Sequence, residues 1–148
     1  MSPTPVEVTK LSAYPLPQYA RPGDAGCDGV ANLTKPVLIP PGCRALIPLG
    51  IKVAIPEGYE LQLRPRSGLA LKFGVTLVNT PGTIDSGYRG EVGAILINHG
   101  LTDYLVSPGD RVCQLVLNQF CTIQWEPVAA LSESLRGDGG FGHSGGGQ

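Results

Sequence analysis

Between residues 46 and 56 the chain reads LIPLGIKVAIP, and Ile47, Leu49, Ile51, Val53 and Ile55 recur at every second position. That period matches a β-strand, whose side chains alternate between two faces; a helix cannot gather these five on one side. One face of the segment must be buried, so the strand needs a sheet and a second layer to cover it. Four further stretches have the same character: YELQLRP (59–65), GVTLVNT (74–80), EVGAILIN (91–98) and DRVCQLVL (110–117). IPPG, IPEG, TPGTIDSG and SPGD separate them, and 21 glycines and 14 prolines in 148 residues make tight turns frequent. Short strands in series predict an all-β sandwich or barrel-like fold. The one helical segment is SGLALKFG (67–74), about two turns long, with Ser67 as N-cap and Gly74 as stop.

A chain of this length, 42% hydrophobic, suits one domain with a proper core. The net charge of −1 provides no general attraction to nucleic acid or to an anionic membrane. No apolar run reaches membrane-spanning length, and the opening MSPTPVEVTK lacks a signal-peptide core. Cys27, Cys43, Cys113 and Cys121 are irregularly spaced without a C-x-x-C pair. That pattern argues against zinc or a disulfide framework and points to a reduced, cytoplasmic protein whose cysteines are buried small apolar fillers. Residues 1–131 read as the β domain and 132–148 as an appended glycine-rich segment.

Five short clusters carry candidate chemistry. RPRSGLA (64–70) puts Arg66 before the helix start at Ser67 and Gly68, a ready anion site, although a capped helix beside a solvated arginine reads the same. NTPGTIDSGYRGEV (79–92) is a turn-rich hairpin holding Asp85, Tyr88 and Arg89; Asp85 is a candidate general base or simply a turn former. DAGCDGVA (24–31) offers Asp24 and Asp28, a pair suited to water-mediated magnesium or an ordinary acidic loop. Gln114 is a polar residue inside the apolar run of PGDRVCQLV (108–116), where strand alternation alone accounts for it. RGDGGFGHSGGGQ (136–148) keeps one guanidinium, Arg136, and one aromatic ring, Phe141, in a segment too glycine-rich to fold alone.

Taken together, in this order and spacing, the clusters AGCDGVA, PRSGLA, NTPGTIDSGYRG, GDRVCQLV and RGDGGFGHSG resemble the trimeric dUTPases, the deoxyuridine triphosphate nucleotidohydrolases, over nearly the whole chain. The resemblance implies a distorted β-barrel or jelly roll with one short helix, assembled as a homotrimer with a flexible C-terminal arm. It implies hydrolysis of dUTP to dUMP and pyrophosphate, which keeps uracil out of DNA and supplies dUMP for thymidylate synthesis. Asn79, Thr83, Ile84 and Asp85 would hold uracil largely through backbone groups, and Tyr88 would pack on the deoxyribose and exclude a 2′-hydroxyl. Asp85 would also activate the water that attacks the α-phosphate. Arg66, Ser67, Gly68 and Gln114 would bind the triphosphate, and Asp28 would hold magnesium through water. Arg136 would reach the terminal phosphate and Phe141 would stack on the base, closing the arm as a lid. Each site would be shared between subunits.

Two departures stand out. The first cluster continues Gly29–Val30 after its aspartate where leucine is usual, and the tail reads FGHSG, placing His143 where a small hydroxyl residue is usual. His143 either donates to a phosphate or has no role. The similar dCTP deaminases use a glutamate along the strand after the hairpin. Here that strand is apolar, with Glu91 at its mouth. A non-catalytic nucleotide sensor on the same fold would not need Asp85.

Overall fold

The alternating segment at 46–56 lies mostly within β4 (Arg44–Ala54), an eleven-residue strand with Ile47, Leu49, Ile51 and Val53 facing inward; Ile55, just beyond it, is buried too. The alternation survives a bulge: the register with the neighbouring strand shifts between Pro48 and Lys52. Gly50 stands there at φ +70, buried, with an ideal Cβ only 2.5 Å from that of Ser12. No other residue fits that position without displacing its neighbours.

The computed structural model describes residues 3–140, which form ten strands and one helix. One antiparallel sheet has the order β1 (Glu7–Lys10), β4, β8 (Glu91–Asn98), β6 (Val75–Leu77). A second has the order β2 (Cys27–Val30), β10 (Arg111–Gln119), β5 (Tyr59–Arg64), β7 (Gly82–Ile84). A two-stranded ribbon pairs β3 (Val37–Ile39) with β9 (Tyr104–Val106). Ile47, Leu49, Val92 and Leu96 of the first sheet share one core with Leu63, Cys113 and Leu115 of the second. Burial of each such side chain stabilises the fold by about 1.5–3 kcal/mol. The result is a jelly-roll-like sandwich in which the described sheets do not close into a barrel. The one buried polar side chain of the described core, Asn98, donates to Ile39 and Thr102 carbonyls and accepts from Gly100 N–H, each at 2.8 Å.

Helix α1 (Ser67–Phe73) follows β5. It stops at Gly74, left-handed at φ 68, as the sequence predicts. Its start differs from expectation: Arg66 occupies the N-cap with extended backbone, no side chain caps the helix, and Ser67 is the first helical residue. The helix thus begins one residue earlier than a Ser67 cap would place it: the Arg66 carbonyl accepts the first helical bond, from the Ala70 N–H at 3.0 Å, and Ser67, already helical, no longer has the extended backbone that a capping side chain needs. The hairpin of 79–92 is also less simple than its sequence. β6 and β8 pair directly, but between them β7 crosses to the edge of the second sheet. Residues 24–31, read as an acidic loop, contain β2.

The cysteines divide. Cys113 is buried and Cys27 half-buried, whereas Cys43 and Cys121 are exposed, against the expectation that all four fill the core. Cys43 lies in the turn before β4 and Cys121 beyond the last strand, where no second layer covers them. From Phe120 to Gly140 there is neither helix nor strand. Among the described residues, no helix is long and apolar enough to cross a membrane.

Candidate active site

Across the second sheet, Asp28 on β2 stands opposite Gln114 on β10, which stands opposite Arg64 on β5. Residues directly opposite in antiparallel strands share a face, so the three make one polar row on the outer side. Behind Gln114, Cys113 and Leu115 face the core. The row opens into a cavity of about 530 Å³ lined also by Asp24, Arg66, Ser67 and Gly68. That volume suits a small-molecule ligand. Gln114 is thus an element of the site wall, and the helix start lies beside it because α1 follows β5 after only Pro65 and Arg66.

Asp28 is the organising charge. Its Oδ1 accepts from Arg66 Nε at 2.9 Å and its Oδ2 from Arg111 Nη1 at 3.4 Å. Arg66 Nη1 also donates to the Arg111 carbonyl at 3.1 Å. The planar guanidinium is therefore fixed at two points, with donors left over for an anion. Arg64 is held by Gln62, whose Oε1 accepts from its Nε and Nη2 at 3.0 and 2.8 Å. Burial first, then the Asp28 charge, pushes the Cys113 thiol up to about 12. Cys27 is raised as well, chiefly by burial. Tyr104 is raised by burial and by Asp110, with Arg66 opposing.

The 78–90 connection forms a second surface. The Asn79 amide lies against Gly82, 3.2 Å from where a Cβ would stand, and Ile84 packs on the core. Asp85, exposed, begins a turn closed by the Tyr88 N–H on its carbonyl at 3.1 Å. Tyr88 folds back over Gly90, where any side chain would collide with its ring, and donates its hydroxyl to the Glu91 carbonyl at 3.0 Å. Arg89 braces the turn through the Ser86 and Tyr88 carbonyls. Neither Asn79, Thr83, Ile84, Asp85 nor Tyr88 lines the cavity of Asp28 and Arg66. Register gives the reason. Gly82 stands opposite Leu63 and Ile84 opposite Leu61, so β7 runs away from Arg64. Asp85 then lies about 13 Å along the sheet from the cavity end, at about 3.4 Å per residue.

A dUTPase family model matches residues 12–145 of this sequence. The chain belongs to the dUTPase family. It is 55% identical over 141 residues to the deoxyuridine 5′-triphosphate nucleotidohydrolase of Syntrophotalea carbinolica, covering 95% of this chain and 96% of that one. Its identity to the enzyme of the same name from Chlamydia pneumoniae is 54% over 131 residues, covering 88% and 90%. Among solved structures, a variant of the Staphylococcus bacteriophage 80alpha dUTPase with dUpNHpp superposes with TM-score 0.86 at 28% identity, covering 97% of this chain and 99% of that one. A phage phi11 dUTPase variant, described as coordinating a structural Mg(II) ion, gives 0.78 at 25% identity, covering 88% and 100%.

Set within a dUTPase, the arginines gain meaning. Sequence reasoning singled out Arg66 but not Arg111 or Arg64, although both stand inside the same clusters. The signal for Arg111 is its place at the head of the strand carrying Gln114; for Arg64 it is the register with Gln114, which needs the sheet to be known. Arg136 lies in a turn, its Nε donating to the Gly139 carbonyl at 2.7 Å. Phe141 and His143 lie outside the described residues. Glu91, the residue that a deaminase reading would examine, has its carboxylate bonded to backbone and amide groups.

Proposed function

We propose that this chain hydrolyses dUTP to dUMP and pyrophosphate, and that the convergence of Arg66, Ser67, Gly68 and Gln114 around Asp28 is its triphosphate site. That convergence carries the reading, because a pre-fixed guanidinium beside backbone and amide donors is built for phosphoryl oxygens. Asp85 takes the proton of the attacking water at the α-phosphate, and the pyrophosphate leaves with its charge held by Arg66 and the donors around it. Asn79, Thr83 and Ile84 read uracil through backbone groups, so cytosine would set a donor against a donor. The flat Tyr88 ring takes the deoxyribose and leaves no space for a 2′-hydroxyl. In the cell this reaction lowers dUTP, which limits uracil in DNA, and provides dUMP for thymidylate.

Magnesium fits the donor set in one manner only. No group of three His, Cys, Asp or Glu side chains comes together among the described residues, so those residues offer no cage. Asp24 and Asp28 line the cavity, and Asp28 is already engaged by two arginines. A hydrated ion on the phosphates, with Asp28 taking its water, matches the reluctance of magnesium to dehydrate. When bound, the ion neutralises phosphate charge. The water and its proton are handled by Asp85.

Asp85 and Arg66 face different surfaces of one chain, which supports a homotrimer with each site completed by a neighbour's hairpin. Ile123, Trp125, Val128 and Leu131 are exposed beyond the last strand, apolar surface that assembly would cover. Residues 132–148 act as the lid, with Arg136 on the terminal phosphate and Phe141 on the base. Mixing tests the arrangement. Arg66→Ala and Asp85→Ala, each inactive in pyrophosphate release, regain part of the activity when the two chains are refolded together, while Asp85→Ala alone still binds dUTP. Failure of any mixture to recover activity rejects the shared site, and Asp85→Ala with wild-type turnover rejects the base.

A further inference from the structure

Glu91 is a half-buried carboxylate without an ion-pair partner among the described residues. Its Oε1 accepts from the Gly50 N–H at 3.0 Å and from Asn32 Nδ2 at 3.4 Å. Gly50 is the buried apex of the β4 bulge, wedged between Ser12 and Asn32, with its own carbonyl taken by Leu11 N–H at 2.8 Å. The side chain of Glu91 is therefore anchored to one of the tightest backbone points of the fold. Its main-chain carbonyl, on the same residue, accepts the Tyr88 hydroxyl at 3.0 Å. Gly90 between them has no side chain, so the Tyr88 ring rests against that backbone. A carboxylate held by neutral donors alone is a costly choice for stability, since an unpaired charge resists burial. Its geometry gives it another use.

We propose that Glu91 is a positioning residue for substrate selection: by pinning the Gly90–Glu91 backbone to the β4 bulge it fixes the plane of Tyr88, and thereby the exclusion of a 2′-hydroxyl. The inference rests on the reading of Tyr88 as the sugar-facing residue. It makes Glu91, which does not touch substrate, a determinant of the ratio of kcat/KM for dUTP over UTP. A general folding defect lowers both substrates together and leaves that ratio alone.

The test measures the ratio for wild type, Glu91→Ala, Glu91→Gln, Tyr88→Phe and the Glu91→Ala/Tyr88→Phe double variant, beside melting curves. Glu91→Ala is expected to lower the ratio on the order of tenfold, the scale of a small displacement in a binding surface. Glu91→Gln keeps an oxygen acceptor for Gly50 N–H and is expected to retain the wild-type ratio. The double variant is expected to be no less selective than the worse single one, since both cuts break one linkage. If Glu91→Ala does not fold, Glu91→Asp keeps the charge but is one methylene too short, and should show the same loss. An unchanged ratio in the folded Ala or Asp variant, or additive losses in the double variant, overturns the proposal. A wild-type protein that accepts UTP as readily as dUTP instead overturns the underlying role of Tyr88.

Discussion

Replacing Asp28 with alanine sets two effects of opposite sign against each other, and the structure decides between them. As a clamp, Asp28 holds the arginine proposed to bind the triphosphate: Arg66 Nε sits 2.9 Å from its Oδ1, with the two side chains only 27% and 26% exposed. A hydrogen bond to a charged partner in such a setting contributes about 1.5–3 kcal/mol. The Arg111 contact is 3.4 Å long with an arginine 62% exposed, and adds under about 1 kcal/mol. As a negative charge, Asp28 repels the triphosphate. Across about 8 Å of water that repulsion is about 0.5 kcal/mol per phosphate charge, reduced by salt and by a bound divalent ion. With roughly two uncompensated charges the repulsion reaches about 1 kcal/mol. Clamping wins by about 1–2 kcal/mol, so kcat/KM for dUTP should fall about 5- to 30-fold. Asp28→Asn keeps an acceptor for Arg66 without the charge and should lose less. Pyrophosphate release measured over dUTP and magnesium concentration series reads both the fall and a higher half-saturating magnesium in Asp28→Ala. A variant that equals or exceeds wild type at about 0.1 M salt would refute the clamp and show that repulsion of the triphosphate outweighs it.

Burial raises the folded-state pKa of Cys113 from 9.0 to about 12, so the thiol's contribution to stability is complete below pH 9 and is lost as pH rises toward 12. At roughly pH 10.5 the loss reaches about 2 kcal/mol, and Cys113→Ala should show a flatter fall in melting temperature between neutral and alkaline pH than wild type. Under native conditions Cys43 and Cys121 should react rapidly with a thiol reagent and Cys113 only after denaturant is added; rapid labelling of Cys113 contradicts its burial. Removing residues 136–148 should leave the melting temperature within a degree or two and cut turnover severely, whereas full turnover in the truncated chain eliminates the lid.

The sequence declares its strands wherever a buried face must alternate over many residues. EVGAILIN is β8 to the residue, and the inward set of β4 is the one its spacing names. The short strands escape such a reading. β3, β7 and β9 are three residues each, too brief for a period; β7 is held by the ladder of the longer β5, and β3 and β9 by each other. β2 is hidden by its own chemistry: CDGV has the composition of a turn, yet Gly29 packs against Leu49 and Cys113 so closely that it must lie flat on the core. Ser67 looks like a cap by type, but the chain turns helical one residue earlier, with Arg66 at the N-cap and Ser67 already in the first turn.

Site residues are legible one at a time, whereas their grouping follows from sheet order. Asp28, Arg66 and Gln114 are far apart in the chain and meet because β2, β10 and β5 are adjacent, in a register that stacks Asp28, Gln114 and Arg64. Asp85 is close to Arg66 in sequence and directly follows β7, the strand paired with β5, so proximity along the chain predicts that the two meet. The antiparallel direction of β7 carries Asp85 the other way, about 13 Å along the sheet. A base that works on a phosphate held by Arg66 then has to come from elsewhere, and a second copy of the same surface is the economical source. That step is what would connect a β-sandwich whose proposed site residues lie apart to an oligomeric enzyme, and activity measured in mixed Arg66→Ala and Asp85→Ala chains decides it: recovery is expected, and none rejects it.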